Sequence, residues 1–262
     1  DYIASDKKKV VFDLKALLHG LSYNEISIGK NTDDVFLMAF LSNNYNADLN
    51  SIIRNYTGIN ISELKDLFGT EKKKLDPSIE DLASFGSNVA DNLYSIYQKV
   101  LKEIEEKEMV SLYEDIELPL AYILYDMECT GVHCDQDELD EIAKNTKAKM
   151  DELENRIYEE VGHEFNISSP KQLAQVLYVE LGLPDLKKGS TNAEVLNKLI
   201  NYHPVVSDIL DYRKYSKIYS TYAIGLTKYI TADNKIHTIF SQTITNTGRL
   251  SSYDPNLQNI SV

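Results

Sequence analysis

The sequence of 262 residues contains no tryptophan, only six prolines and only two cysteines. No apolar run approaches the roughly 18 residues of a membrane-spanning helix, so we expect no membrane span. The first residues show no basic leader followed by an apolar core, so we expect no signal peptide. They also lack an initiator methionine, and we expect a piece of a longer protein. With 43% hydrophobic and 26% charged residues, the composition is typical of a soluble globular protein with one large or two ordinary domains.

The two cysteines, Cys129 and Cys134, lie close together in the sequence, and His133 precedes the second. A structural zinc site needs four ligands, and no second Cys/His pair completes one. We therefore expect two small, reduced, semi-buried thiols in a reducing compartment, which favours a cytoplasmic protein.

Basic residues are scarce, 27 against 41 acidic ones, and the net charge of −14 argues at first sight against a nucleic-acid partner. The distribution is uneven, however. From Lys198 onward the chain carries seven basic and four acidic residues, a net +3, which leaves −17 for residues 1–197. This asymmetry permits a polyanionic partner at the C-terminal end.

The N-terminal hundred residues have a mixed α/β pattern. Residues 8–13 (KKVVFD) predict a strand, and residues 33–43 (DDVFLMAFLSN) a helix with acidic residues at its start. Residues 64–78 are polar and predict a solvated loop, and a helix is expected from about Ser78 to Glu108.

Capped helices follow after about residue 110. Residues 135–162 predict a helix, because apolar residues recur on one face every three or four positions. Asp135 with Glu138 forms a capping-box pattern at its start, and Gly162 ends it. The face comprises Leu139, Ile142, Thr146, Met150, Leu153, Ile157 and Val161.

Two shorter helices show the same signals. Ser169 caps the first, with Pro170 at its first position and Gly182 at its end. Thr191, with Glu194 three residues later, predicts the start of the second.

A longer helix is expected from Pro204 to about Ile230. Arg213, Lys217, Ser220 and Thr221 fall on one stripe of it, called here the phosphate stripe. Two cations and two hydroxyls suit phosphate oxygens, because such donors need no base edge. The alternative is an ordinary solvated helix face.

The chain ends in a strand and a polar ribbon. Residues 235–245 alternate, with Ile236, Thr238, Phe240, Gln242 and Ile244 on one side, and predict a strand. The segment TNTGRLSSYDPNLQNI, residues 245–260, is called the ribbon here. Thr247 and Gly248 predict a turn in it, and Pro255 disfavours regular structure.

The ribbon closely resembles the T-x-TGRLSS-x-xPNLQNIP segment of family A DNA polymerases, the bacterial DNA polymerase I type. Four further segments resemble that family in the same order. They are ELPLAYILYDMECTGVHCD (117–135), FNISSPKQLAQVLYVELGLP (165–184), GSTNAEVL (189–196) and YRKYSKIYSTY (212–222). Together they cover residues 117–262.

The resemblance implies a DNA-binding role for eight residues. The phosphate stripe would contact the primer-template backbone, and Arg249, Asn256, Gln258 and Asn259 would lie along the duplex near the primer terminus, with Arg249 in the minor groove. All four correct base pairs present acceptors there at similar positions, so a few donors can inspect any sequence. A mispair would leave such donors unsatisfied, at about 1–3 kcal/mol each if buried.

Three departures from the family pattern put individual contacts in doubt. Tyr219 replaces a lysine, the segment LPDLKKGST leaves little room for a basic loop at the thumb tip, and Ser261 replaces a proline.

The N-terminal part resembles the 3′–5′ exonuclease-like domain of the same family more faintly. Two-metal hydrolysis needs several carboxylates, but Leu17 and Val89 stand where the family's acids align, and Phe85 replaces a tyrosine. Asp13 and Asp91 lie nearby but out of register. We expect an inactive site.

The resemblance implies three regions: an α/β, ribonuclease H-like exonuclease domain at 1–110, a mainly α-helical polymerase thumb with connecting helices at 111–235, and the first strands of an α+β palm at 236–262. The complete enzyme would be a monomeric DNA-directed DNA polymerase, a nucleotidyltransferase of DNA replication and repair that uses Mg²⁺ and deoxynucleoside triphosphates. Its catalytic carboxylates would follow residue 262, so the fragment should bind primer-template duplex without extending it, and bind no metal itself.

Two alternatives remain open from the sequence. One is a non-catalytic DNA-binding accessory protein, which a natural stop near Val262 would favour. The other is an active 3′–5′ exonuclease that uses Asp13, Asp91 and acids preceding residue 1.

Overall fold

The computed structural model describes residues 2–42, 48–70 and 72–260. The chain forms two compact units, which are discontinuous in sequence. The first unit comprises residues 1–131 and 237–258, and the second comprises residues 132–236 and 259–262.

The first unit begins with a parallel β-α-β arrangement. Strand β1 (Lys9–Val11) pairs with β2 (Thr32–Asp34), and helix α1 (Leu14–Tyr23) connects them. Helix α2 (Val35–Leu41) follows β2 directly. Asp34 caps it by accepting a hydrogen bond from the Phe36 amide at 2.8 Å. The predicted strand and helix are confirmed, apart from residue 43, which lies outside the described residues.

The segment predicted to be a loop has regular structure instead. After α3 (Leu49–Thr57) it forms a short helix, α4 (Leu64–Phe68), and a hairpin of β3 (Gly69–Thr70) and β4 (Lys73–Lys74). The prediction was wrong because a capping box between Glu63 and Asp66 starts α4 in this highly polar sequence. Residue 71 of this segment is outside the described part.

The predicted long helix is confirmed as α5 (Ile79–Glu106), and Ser78 and Asp81 form its capping box. It buries Ile96, Val100 and Ile104 in a core with α2 and α3. Helix α6 (Val110–Leu112), a π-helical turn (Tyr113–Glu117) and α7 (Leu118–Thr130) complete this part of the first unit.

The second unit is mainly helical. A two-stranded antiparallel sheet of β5 (Val132–His133) and β6 (Lys235–Ile236) brackets its helices. Helix α8 (Gln136–Val161) is followed by α9 (Pro170–Ala174), which continues as a π-helix to Glu180, then by α10 (Ala193–Leu199) and α11 (Val205–Lys217). A π-helical turn (Ile218–Ala223) and a 3₁₀ turn (Thr227–Tyr229) follow α11.

Three details of the second unit differ from the prediction. Ile142 is exposed and Ala143 is buried, since the buried face of α8 follows a helical period that passes through 139, 143 and 146. Asn192, not Thr191, caps α10, accepting from the Val195 amide at 2.9 Å. The helix expected to reach Ile230 leaves α-helical geometry at Ile218.

The chain returns to the first unit with strands β7 (Ile239–Ser241) and β8 (Ser251–Tyr253), an antiparallel pair in which Phe240 faces Ser252. The strand predicted over residues 235–245 is therefore two strands, β6 and β7, that pair with different partners. Among the residues that the structure describes, no helix is both long and apolar enough to cross a membrane.

Candidate nucleic-acid interface

The phosphate stripe lies on α11 and on the π-helical turn that follows it. α11 packs against α8 and buries Val205, Val206 and Ile209 in the core of the second unit. Arg156 on α8 also donates two hydrogen bonds to the carboxylate of Asp208 on α11, and the distance from Arg156 Nε to Asp208 Oδ2 is 2.9 Å. These contacts fix the rotation of α11 and hence the direction in which the opposite face points.

Arg213 is half-buried and partly committed to the fold. Its Nη1 donates to the Thr191 carbonyl oxygen, and its Nη2 donates to Thr191 Oγ1 at 3.2 Å. Burial lowers the pKa of the Arg213 guanidinium, but arginine keeps its charge in proteins. Two of the five N–H donors of the guanidinium are thus used internally, so Arg213 has both a structural role and free donors.

The other stripe residues are exposed, but they are not equivalent. Within the described part of the chain Lys217 makes no hydrogen bond or ion pair. Ser220 Oγ donates to the Ser216 carbonyl at 2.7 Å, so its proton is engaged within the helix. Ser220 and Thr221 also lie in the π-helical turn, where i→i+5 bonding alters the angular spacing. The regular stripe that α-helical spacing predicts therefore ends at Lys217.

The ribbon begins as the connection between β7 and β8 in the first unit. The predicted turn is present: Gly248 adopts a φ of 72°, and its amide donates to the Thr245 carbonyl at 3.3 Å. Thr245 Oγ1 donates in turn to the Arg249 carbonyl. Arg249 is exposed, and its side chain has no hydrogen bond or ion pair among the described residues. The backbone is thus held while the guanidinium remains available.

The amides of the ribbon are used mainly to fold it. Gln258 Oε1 accepts from the Ser252 amide at 3.2 Å, and Gln258 Nε2 donates to the Leu250 carbonyl at 2.8 Å. Asn256 Oδ1 accepts from the Gln258 amide at 3.0 Å. Within the described part of the chain, the side-chain NH₂ group of Asn256 makes no hydrogen bond. The side chain of Gln258 uses both its oxygen and its NH₂ group. Of these two, Asn256 is the better candidate for an external contact.

Asn259 belongs to the second unit, where its backbone carbonyl accepts a hydrogen bond from the Tyr222 hydroxyl. Its side chain is exposed. The eight predicted residues are therefore divided between the units: the phosphate stripe and Asn259 in the second, and Arg249, Asn256 and Gln258 in the first.

Two glutamates that the sequence reasoning did not single out hold the chain that leads into the ribbon. Glu128, near the end of α7, is 3% exposed, and its Oε1 accepts from the Phe240 amide at 2.6 Å. At the start of α7, the Glu117 carboxylate accepts from Gln242 Nε2 at 2.6 Å. Both glutamates lie within the ELPL…ME-x-TGV segment, and an acid on the largely apolar α7 was the signal that could have identified Glu128.

A third contact reinforces this attachment. His237 Nδ1 lies 2.7 Å from the Glu128 carbonyl oxygen. A Cβ on Gly131 would come within 2.7 Å of the His237 ring, so only glycine fits there. Glu117, Glu128 and Gly131 together fix residues 237–242, and with them the direction in which β7 enters the ribbon.

Two apolar residues, Leu17 and Val89, stand at the positions that the resemblance aligns with proofreading carboxylates. Leu17 and Val89 are half-buried, and Val89 packs against the core of the first unit. Asp13 caps α1, accepting from the Ala16 amide at 3.0 Å, while Asp91 is exposed. Within residues 2–42, 48–70 and 72–260, no three His, Cys, Asp or Glu side chains are placed to hold a metal ion. The described residues therefore do not fit a Mg²⁺ site.

Asp34 is a buried carboxyl with a structural role. It accepts from the amides of Asp13 and Leu14 at 3.1 and 2.8 Å, besides capping α2. Burial raises the pKa of Asp34 to about 7, although the amide donors oppose this shift. Asp34 thus joins β2 to the starts of α1 and α2.

Comparison with solved structures gives the fold a counterpart. The chain is similar to the POL domain of Pol1 from M. smegmatis, solved in complex with DNA primer-template and dNTP. The TM-score is 0.84 at 26% identity, over 100% of this chain and 44% of that one. The fold, helical with small mixed sheets, is thus that of part of a nucleic-acid polymerase. Residues 136–262 match the family model described as DNA polymerase family A. The chain belongs to this family.

Curated relatives agree with the family assignment. DNA polymerase I of Bacillus subtilis (strain 168) is 39% identical over 98% of this chain, and that of Caldicellulosiruptor bescii is 37% identical over 100%. DNA polymerase I of Streptococcus pneumoniae serotype 4 is 46% identical over 62% of the chain. The chain spans only about 30% of the length of the first two relatives.

Proposed function

We propose that the chain is the part of a DNA-directed DNA polymerase that holds primer-template duplex. Residues 111–235 would form the thumb, residues 236–262 the start of the palm, and residues 1–110 an inactive, ribonuclease H-like exonuclease domain. The parallel β1-α1-β2 arrangement supports the last assignment, because an α/β fold of that kind is built from such units. The protein would act as a monomer in the cytoplasm.

The observation that carries the proposal is the state of Arg249. Its backbone is anchored through Thr245, and Glu117 and Glu128 fix the strand that precedes it, yet no described group satisfies the guanidinium. An arginine held in this way can donate to minor-groove acceptors, which occur at similar places in every correct base pair. Lys217 would donate to a backbone phosphate, and Arg213 would do the same with the N–H donors that Thr191 does not use.

Asn256, through its free NH₂ group, is proposed as a second minor-groove donor. Ser220, whose hydroxyl proton is engaged, would accept from a water molecule that bridges to a phosphate. Thr221 would contact a phosphate through such a water or directly through its hydroxyl. Gln258 would act by shaping the ribbon, and Asn259 would lie beside the duplex as the resemblance implies. Nucleotidyl transfer with Mg²⁺ and deoxynucleoside triphosphates is proposed for the complete enzyme only, with ligands from beyond the described residues.

Binding of a primer-template duplex, measured against salt concentration, tests the proposal. Each lost phosphate contact lowers the slope of log K against log salt by about 0.9. We expect Lys217→Ala to lower it by about that amount, and Lys102→Ala, the same charge change on α5 of the first unit, to leave it unchanged. If the two variants behave alike, the assignment of α11 to the DNA-binding surface is wrong.

A second comparison addresses the ribbon. Arg249→Ala should weaken binding of a matched primer terminus about 10- to 150-fold, which corresponds to the roughly 1.5–3 kcal/mol of a charged hydrogen bond. Arg249→Lys keeps the charge but loses the planar fork, so it should recover only part of the affinity. Equal binding by all three proteins would exclude Arg249 from the interface.

A further inference from the structure

Cys129, His19 and Glu128 form a cluster in the first unit that the proposed DNA-binding role does not use. Cys129 Sγ lies 4.0 Å from His19 Nδ1, and His19 Nε2 lies 2.6 Å from Glu128 Oε2. Cys129 is exposed and the His19 side chain is 43% exposed, whereas the Glu128 side chain is 2% exposed. A nucleophile, a base and a buried carboxylate thus follow one another from solvent to interior.

The hydrogen bonds of Glu128 determine which nitrogen of His19 can act as a base. Glu128 Oε1 accepts from Lys15 Nζ and from the Phe240 amide, both at 2.6 Å. A carboxylate with these partners is an acceptor, so in the neutral form of His19 the proton lies on Nε2, facing Oε2. The lone pair of Nδ1 then faces Cys129 Sγ. The edge of the Tyr125 ring, 4.9 Å away between centroids, also restrains the imidazole.

We propose that Cys129 is a reactive thiol, activated by His19 and oriented through Glu128, that forms mixed disulfides with low-molecular-weight disulfides. A sulfur, a base within reach and a third group that orients the base are the elements of an activated nucleophile.

The proposed reaction is thiol–disulfide exchange. His19 Nδ1 accepts the proton of the Cys129 thiol, and the thiolate attacks one sulfur of a disulfide RS–SR. A bond forms between Cys129 Sγ and that sulfur while the S–S bond of the reagent breaks, and the released thiolate takes the proton from His19. One thiol and one disulfide become one thiol and one mixed disulfide. Cys129 is oxidised and the released RSH is reduced, so no further oxidant is needed.

The second cysteine of the chain provides an internal comparison. Cys134 is half-buried and lies in the second unit, next to β5. Burial raises the pKa of the Cys134 thiol, and the charges of Asp135 and Glu138 raise it further. No imidazole pairs with it in the described part of the chain. The two thiols therefore have different surroundings: Cys129 has an imidazole nitrogen 4.0 Å away and a hydrogen bond with Tyr125, whereas Cys134 lies near two carboxylates.

The test measures how fast each thiol reacts with dithiodipyridine, an uncharged aromatic disulfide, at pH 7. Cys134→Ser leaves only Cys129, and Cys129→Ser leaves only Cys134, because the chain has no other cysteine. We expect Cys129 to react at least about tenfold faster than Cys134. In urea, where the geometry is lost, the two rates should agree within about threefold.

His19→Gln, added to Cys134→Ser, distinguishes activation of the Cys129 thiol by His19 from the effect of its solvent exposure alone. The Gln amide can still donate to Glu128 Oε2, but it offers no base to the sulfur. The rate of Cys129 should fall about tenfold, towards that of Cys134, while the far-UV circular dichroism spectrum stays unchanged. If His19→Gln reacts as fast as its parent, or if the two thiols react equally in the folded chain, the proposal is overturned.

Discussion

Replacing Glu128 by alanine should destabilise the first unit strongly. The change removes the acceptor for three groups: Lys15 Nζ, the Phe240 amide and His19. The Lys15 side chain is only 14% exposed, so its ammonium would stay desolvated without its partner. Breaking a buried ion pair from one side costs about 3–5 kcal/mol. His19, being partly exposed, would rehydrate and add little.

Two further variants resolve this cost into its parts. Glu128→Gln keeps an acceptor for the Phe240 amide but loses the charge and the acceptor that faces His19 Nε2, so it should cost about 1–3 kcal/mol. Lys15→Met together with Glu128→Leu replaces both charges by apolar groups. That pair should recover most of the loss and leave the unsatisfied Phe240 amide, at about 1–3 kcal/mol.

Urea unfolding, followed by far-UV circular dichroism and by tyrosine fluorescence, is the assay. The chain has 18 tyrosines and no tryptophan, so the tyrosine signal is not masked. The double-mutant cycle of Lys15 and Glu128 should show a coupling of about 1–3 kcal/mol. A cost of less than about 1 kcal/mol for Glu128→Ala, or an equal cost of Lys15→Met with and without Glu128, would show that no buried ion pair stabilises the first unit.

Three other predictions concern the fold. The pKa of Asp34 is about 7 in the folded chain against 3.8 normally, so the folded state binds more protons between these pH values. The free energy of unfolding should therefore fall by up to about 4 kcal/mol as the pH rises from 4 to 7. Urea titrations at several pH values measure this slope, and Asp34→Asn should remove it. Ser78→Ala should cost about 1 kcal/mol by uncapping α5, whereas Ser87→Ala, at an exposed position within α5, should be neutral or slightly stabilising in the same assay. Asn192→Ala should likewise cost about 1 kcal/mol in urea unfolding; a loss below about 0.3 kcal/mol would reject Asn192 as the cap of α10.

The sequence predicts helices well where local signals agree. Ser78 and Asp135 each start a long helix at the expected residue, because the cap and the apolar period coincide there. It fails where two caps compete. Thr191 and Asn192 both have the side chains for capping α10, but Asn192 caps it, while Thr191 Oγ1 accepts from Arg213, more than twenty residues away. No local pattern contains that information.

The candidate interface shows the same limit. The motifs identify Arg249 and Gln258 alike, but only the structure shows how their side chains differ. No described residue binds the Arg249 guanidinium, whereas the Gln258 side chain makes hydrogen bonds through both its oxygen and its NH₂ group. The π-helical geometry after Lys217 also escapes a reading based on α-helical spacing. Glu128 was missed because its partners Lys15 and Phe240 are each more than one hundred residues away in the chain.

The discontinuity of the first unit has a consequence for synthesis on the ribosome. When helix α7 emerges, Lys15 and His19 are already available to Glu128, but the Phe240 amide and the Gln242 side chain, which bind Glu128 and Glu117, are made more than one hundred residues later. At about 5–20 residues per second, this interval is on the order of 5–20 s. The second unit, encoded between the two halves, is complete in sequence at residue 236 apart from its last few residues. Synthesis from the N-terminus therefore favours a folding order in which the second unit folds before the first unit, whose sequence lies on both sides of it.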